Sequence, residues 1–371
     1  MNGVTVLEKV TLGFLVLSKK HENGYATEIA KRSSQFNIQC VRFEPTSINP
    51  STLMIDGEKF DHHSQIWKRD LFPIPSFIYD RCFYHQKQLA QKSKPIVDWL
   101  KKYPQTTFLG FGLPDKWKIY TSLQSNSVIS SYLPYTELIQ NPSQILHQLK
   151  EASSCLLKPV NGSRGIGIVA VSYLAQSITI TYHRGKIKKT KDFHTLKAFT
   201  EWCEKLIQQQ TYLLQPLLPL LDKQRYPFDI RMFFQKNQDG KWDLVGKGVR
   251  KGYQGSFLSN LNSGGETHSY EDWSSTLTSR QKILLEDELQ TIAEHLPSSL
   301  EEKCNRLFEI GVDIGYANDG SVWILDMNSK PGRKTVTKTN PNSSERLFQA
   351  PLAYCNFLQK QAALKGVEIN E

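Results

Sequence analysis

Residues 309–332 read EIGVDIGYANDGSVWILDMNSKPG, and this stretch decides how the rest of the chain is read. IGVDIGYA is short, apolar and interrupted by Asp313; SVWILDMN is β-prone and runs to Asp326 and Asn328. Between them Asn318-Asp319-Gly320 is a turn signal, so the pattern predicts two paired strands. A carboxylate inside an apolar strand is costly to bury unless something offsets its charge. Two acids and an amide are hard oxygen donors of the kind that hold Mg²⁺, completed by phosphate oxygens. Alone, the hairpin also reads as a structural ribbon with solvated acids at its edge.

The chain around it has 371 residues, 39% hydrophobic and 22% charged, the composition of a folded globular protein. That length accommodates two or three domains. No apolar run approaches the ~20 residues of a membrane-spanning helix. Leu12 to Leu17 is short, flanked by Lys9 and Lys19-Lys20, and lacks a small-residue cleavage site, so it reads as a first buried strand and not a signal peptide. Cys40, Cys82, Cys155, Cys203, Cys304 and Cys355 are scattered, with neither zinc spacing nor a disulfide framework. A reducing, cytoplasmic setting is the expectation. The net charge of +10 suits a polyanionic partner. Its densest run, His183 to Lys191, reads foremost as a solvated hairpin or loop. Without aromatic interleaving, nucleic acid is not the expected partner.

Residues 1–110 read as a separate α/β unit. Strands are expected at 11–18 and 38–43, and a strand leading to a charged tip within 73–84. Helices are expected at 25–35 and 86–101, and a short strand pair at 52–60 turning at Asp56-Gly57. Residues 111–371 form the second domain, in two parts, 111–210 and 211–371. Lys116 to Leu123 reads as helix, as does Pro142 to Glu151 with Asn141 as N-cap. Leu285, Leu289, Ile292 and Leu296 mark one face of a helix over 281–296. A final helix over 344–365 is expected to break at Pro351.

Five further stretches carry chemistry. In CLLKPVNGSRGIGIVAV (155–171), Lys158 ends an apolar strand, and a loop with Gly162, Ser163, Arg164, Gly165 and Gly167 precedes another strand. Glycines let backbone amides close over phosphate oxygens. The order strand–loop–strand excludes both the Walker loop and the dinucleotide fingerprint; an ordinary hairpin with a Gly-rich turn is the alternative. YLLQPLLPLL (212–221) is either core or an adenine edge, with Gln215 and the Leu217-Leu218 backbone facing the base and Asp222 placed for a ribose hydroxyl. In PFDIRMFFQ (227–235), Arg231 shares a strand face with Asp229, which makes an Asp229 salt bridge its ordinary explanation. VGKGVRKG (245–252) supplies Lys247 and Arg250, and FLSNLNSGG (257–265) supplies Asn260, completing a cationic, amide-lined cup.

Lysine, Gly-rich cover, adenine edge, arginine strands, Asn-Gly-Gly loop and Asp…Asp-x-Asn come in the order of ATP-grasp domains, which residues 112–331 resemble throughout. Asp313, Asp326 and Asn328 match that family's metal-binding acid, acid and asparagine. Lys116 and Lys158 match its nucleotide-contacting lysines. With IYDR (78–81), DKWKIYTSL (115–123) and LDMNSKPG (325–332) added, nearly the whole chain resembles the YheC/YheD-type ATP-grasp proteins, described as endospore coat-associated. That family usually carries Glu where this chain has Asp326, a shorter reach for bridging two metal ions.

The resemblance implies an α/β (α+β) ATP-grasp fold, two subdomains clasping ATP behind an N-terminal α/β domain. It implies ATP with Mg²⁺, or Mn²⁺ in its place, and a ligase joining a small-molecule or peptide carboxylate to an amine or thiol through an acyl-phosphate. Arg231 and Arg250 would stabilise the transferring phosphoryl and the acyl-phosphate, with Asn260 the third catalytic residue beside Arg250, and Lys116 and Lys158 would hold the α/β-phosphates. Arg81, at a strand tip, either holds a substrate carboxylate or is structural or exposed. Spore-coat proteins are the implied partners, and a non-catalytic nucleotide-binding role in coat assembly is the alternative function.

Overall fold

The computed structural model describes residues 10–84, 87–162, 165–174, 176–259, 264–339 and 343–368. Three sheets organise them. The first, in the order β4-β3-β2-β1-β5-β6, comprises β1 (Val10–Leu15), β2 (Ile38–Phe43), β3 (Met54–Asp61), β4 (Ile66–Pro73), β5 (Phe77–Asp80) and β6 (Thr107–Phe108). Its β2, β1, β5 and β6 run parallel, and β3–β4 is an antiparallel hairpin on the edge. α1 (Asn23–Arg32) and α2 (Lys87–Leu100) make the crossovers.

α3 (Lys116–Leu123) leads into the second sheet, ordered β11-β10-β9-β8-β12-β7. Its strands are β7 (Glu137–Leu138), β8 (Ser154–Pro159), β9 (Val169–Leu174), β10 (Ser177–Arg184), β11 (Ile187–Phe193) and β12 (Tyr212–Pro216). α4 (Pro142–Ala152) and α5 (Leu196–Gln209) cover it. Asn141 caps α4 as expected, in a reciprocal capping box with Gln144.

The third sheet, β15-β14-β13-β16-β17, is antiparallel. It holds β13 (Phe228–Lys236), β14 (Trp242–Lys251), β15 (Glu266–Ser269), β16 (Glu309–Tyr316) and β17 (Val322–Asn328). α6 (Tyr270–Ser274) and α7 (Ser279–Lys303) precede β16; α8 (Lys334–Thr339) and α9 (Ser343–Glu368) follow β17. No described helix is long and apolar enough to cross a membrane.

The cores show which sheets pack together. Leu285, Leu289, Ile292 and Leu296 of α7 pack under the third sheet with Ile119 and Leu123 of α3. Ile119, Tyr120, Leu123, Ile129, Tyr132 and Leu133, from a stretch grouped with the Gly-rich half on sequence, therefore belong to the core of the third sheet. Leu347, Leu352 and Tyr354 of α9 pack with Ile29 of α1 and Phe233 of β13, so the first and third sheets share one core. Among the described residues, the core of the second sheet draws on residues 139–214.

Two expectations fail. Asp56-Gly57 is no turn: β3 runs straight through it and the chain reverses after Asp61. Gly57 is needed for close approach, since a Cβ there would lie 2.5 Å from the Phe72 ring and 2.8 Å from the Arg42 carbonyl. Nor does Pro351 break the last helix. A buried proline costs about 3 kcal/mol in a helix interior. The neighbouring side chains Leu347, Leu352 and Tyr354, each worth roughly 1.5–3 kcal/mol when buried, outweigh it.

Candidate active site

The hairpin of residues 309–328 sets Asp313 directly opposite Asp326 in the β16–β17 ladder. Asn328, two residues on from Asp326, shares its face. A bulge follows: Ile314 pairs with Ile324, which leaves Leu325 as the extra residue. Bulges re-aim groups beside sites, and here the Leu325 carbonyl accepts a 3.3 Å hydrogen bond from Lys158 Nζ on β8 of the second sheet.

Each acid is held by cations. Arg231 on β13, opposite Asp313 in the ladder, donates from Nε to Asp313 Oδ1. Arg250 on β14 spans two acids, binding Asp229 through Nε and Nη2 at 2.7 Å and Asp313 through Nη2 at 2.7 Å. The expected Asp229–Arg231 bridge is thus replaced by two crossed pairs. Directly opposed residues of neighbouring strands lie closer than residues i and i+2 of one strand, and Asp229 faces Arg250. Lys247 stands apart, bound to Glu286 of α7 at 2.5 Å.

Burial pushes the Asp313 carboxyl up, but Arg231 and Arg250 outweigh it and hold the group below its ordinary range. For Asp229 burial prevails over Arg250, and that carboxyl is raised. Lys116 at the start of α3 donates to Asp326 Oδ1. Asn328 donates from Nδ2 to Asp326 Oδ2 at 3.2 Å, which leaves its carbonyl oxygen available to a cation. Lys158 is pushed down to about 8, chiefly by burial, with Lys116 adding repulsion against the pull of Asp326.

These groups surround a cavity of about 370 Å³ between the second and third sheets. Lys116, Lys158, Gly162, Gly165, Gln215, Leu218, Arg250, Asp313 and Asp326 all line it. Gly167 (φ +79°) closes the Gly-rich turn, where a Cβ would sit 2.8 Å from Pro159. Gln215 is buried and donates to Thr136 Oγ1 at 2.7 Å. Ile166, Ile168 and Phe257 make the walls apolar. Arg231 acts at one remove, through Asp313, and Asn328 lines the adjoining cavity that shares Lys116 and Gly162. Ser163, Arg164 and Asn260 lie outside the described residues.

Two sequence candidates are placed elsewhere. Asp222 accepts from the Gln224 and Tyr226 amides at 3.0 and 2.8 Å and pairs with Lys251 at 2.6 Å, closing its own turn. Arg81 is neither exposed nor open to a substrate: it is 1% exposed, bound to Glu309 and Glu22. The Leu325 carbonyl was missed because nothing local in WILDMN marks a bulge.

Two opposed carboxylates and an amide oxygen form an all-oxygen donor set suited to Mg²⁺ or Mn²⁺. Among the described residues no cluster of three His, Cys, Asp or Glu offers a competing metal site. The residues fit a divalent cation once Lys116 releases Asp326 and Asp313 shares its oxygens with Arg231 and Arg250. With that geometry in view, residues 105–358 match the family described as YheC/D like ATP-grasp. The chain belongs to the YheC/D-like ATP-grasp family. This YheC/D-like chain is 44% identical over 358 residues to the endospore coat-associated protein YheC of Bacillus subtilis (strain 168), across 96% of this chain and 98% of that one. Among solved structures it resembles the D-cycloserine synthetase DcsG (TM-score 0.54, 12% identity, 94% of this chain and 99% of that one). It also resembles the D-alanine–D-alanine ligase of Coxiella burnetii (TM-score 0.52, 12% identity, 98% and 99%). At such identities the likeness is of fold, and the ATP-grasp fold read from the motifs is the fold observed.

Proposed function

We propose that this YheC/D-like protein is an ATP- and Mg²⁺-dependent ligase that joins a carboxylate to an amine or thiol. The observation that carries the reading is the opposed pair Asp313 and Asp326 at the edge of a cavity where Lys116 and Lys158 converge. Such a cavity, about 370 Å³, has the size of a small-molecule site. The adenine would lie between apolar walls against the Gln215–Leu218 edge, and the phosphates would run toward the lysines. Asp313, Asp326 and Asn328 would hold Mg²⁺, which would supply positive charge to the phosphates.

Phosphoryl transfer is mainly positioning and charge stabilisation. A substrate carboxylate oxygen attacks the γ-phosphorus, the bond to the β-phosphate oxygen breaks, and ADP leaves. The amine or thiol then attacks the acyl carbon, inorganic phosphate departs, and the nucleophile's proton passes to solvent. Arg250 faces the cavity and would steady the transferred phosphoryl; Arg231 would keep Asp313 ionised and oriented. Gly162, Gly165, Ser163 and Arg164 would cover the phosphates, with Asn260 beside the acyl-phosphate, on the strength of the family pattern. Spore association is proposed from the description of YheC.

Calorimetry with a non-hydrolysable ATP analogue, with and without Mg²⁺, tests the site. Mg²⁺-dependent binding that Lys158→Ala and Asp326→Ala abolish is the expected result. Amine-dependent release of ADP and phosphate then tests turnover. One observation favours a second reading: Lys116 already neutralises a shortened acid at 326, as in a nucleotide-binding assembly protein without turnover. Binding without ADP release from any acid–amine pair would support it.

A further inference from the structure

The basic run from His183 to Lys191 has no part in the ligase chemistry, yet it makes a specific contact. It forms the β10–β11 hairpin of the second sheet, with Ile187 to Asp192 exposed. One end meets the loop after β14 of the third sheet. Lys188 Nζ donates to the Gly255 carbonyl at 2.7 Å. His183 Nε2 lies 2.8 Å from the Tyr253 hydroxyl and 3.4 Å from Ser256 Oγ. Its ring tilts against Phe257, with centroids 5.2 Å apart. The loop it holds is a wall of the nucleotide cavity, to which Ser256, Phe257, Leu258 and Ser259 contribute. Ser259 in turn donates to Asp229, the partner of Arg250.

We propose that His183 and Lys188 are positioning residues that latch the β10–β11 hairpin onto the 253–258 loop, keep that wall closed on bound nucleotide, and do so only while His183 is neutral. The inference rests on the nucleotide reading of the cavity. The second sheet has its own core, so it depends on rim contacts such as these to stay closed on the third. His183 Nδ1 is buried and has no hydrogen-bond partner among the described residues. Lys188 faces the imidazole across the hairpin. Tyr253, Ser256 and Phe257 face it from the loop, and Lys186 lies near Tyr253 around Gly264. No carboxylate among the described residues pairs with the ring. A second proton would therefore put a positive charge that no carboxylate offsets on the ring opposite the Lys188 ammonium. Burial first, then the Lys188 charge, hold the imidazole below its ordinary range.

The latched state prefers neutral His183, so its stability is fully present above the free imidazole's pKa of about 6.5 and falls by up to about tenfold per pH unit below it. The test is calorimetry of the Mg²⁺-bound ATP analogue from pH 7.5 to 5.5 with wild type, His183→Gln and Tyr253→Phe. Wild-type Kd should rise by up to about tenfold between pH 6.5 and 5.5 beyond the change in His183→Gln, which shares any titration of the nucleotide itself. Tyr253→Phe should bind more weakly at pH 7.5. Equal pH profiles for wild type and His183→Gln, with binding intact at pH 7.5, would overturn the latch alone. No binding by the wild type at pH 7.5 would overturn the nucleotide reading and the latch with it.

Discussion

Asp313→Asn separates the structural work of the two candidate metal acids. Asp229, Asp313, Arg231 and Arg250 form a buried cluster of two negative and two positive charges. The side chains of Asp313, Arg231 and Arg250 are only 7–8% exposed. Asparagine at 313 leaves one guanidinium charge buried without its counter-ion, a loss of about 3–5 kcal/mol. Asp326 differs: it is 27% exposed and Lys116 20%, so water and salt screen the pair. Asp326→Asn should cost about 0–1 kcal/mol. Both variants should lose Mg²⁺-dependent binding of the ATP analogue. Urea unfolding of the metal-free, nucleotide-free proteins, followed by tryptophan fluorescence and near-ultraviolet circular dichroism, measures the difference. Asp313→Asn should come out less stable than Asp326→Asn by at least about 2 kcal/mol. A pH series adds a sign. Folding holds the Asp313 pKa below its ordinary value, so its stabilisation is present above about pH 3.9 and is lost as pH falls through the lowered folded pKa. Asp313→Asn should lack that acid limb. Equal stabilities for the two variants at pH 7 would refute the assignment of Asp313 as the shared anchor of Arg231 and Arg250.

Three further outcomes follow from the geometry. Because Lys158 is pushed down to about 8, analogue affinity should hold level below that pH and weaken above it by up to about tenfold per unit; Lys158→Met should remove the alkaline limb, as calorimetry from pH 7 to 9.5 would show. In Gly311→Ala the new Cβ would lie 2.5 Å from Pro331 Cβ and 3.1 Å from Arg231 Nη1. Unfolding should report a loss of about 1–3 kcal/mol from this overpacking, and ADP release should fall more than analogue affinity. Arg81→Met leaves Glu309 buried and unpaired and should cost about 3–5 kcal/mol in thermal or urea unfolding. Analogue Kd should not change; a large change in Kd at unchanged stability would return Arg81 to the substrate site.

Much of the site was legible because it is built from local pattern. Alternation and the Asn318-Asp319-Gly320 turn set Asp313 and Asp326 face to face, and the Asn141 cap and the apolar face of α7 were readable for the same reason: their partners lie within a few residues. Gly57 and Pro351 misled because local conformational preference was overruled by distant packing, against Phe72 in one case and across α9 in the other. Arg81 could not be assigned from its neighbours, since Glu309 lies 228 residues away.

The sequence by itself thus determined the hairpin of acids, the order of motifs and with them the family. Only the tertiary structure decided which cation holds which acid: Arg250 between Asp229 and Asp313, Arg231 on Asp313, Lys116 on Asp326. Hydrophobic period and turn chemistry act over a few residues and are written along the chain. Ion pairing acts through space, and its outcome depends on ladder register and on how α3 and the second sheet are carried against the third.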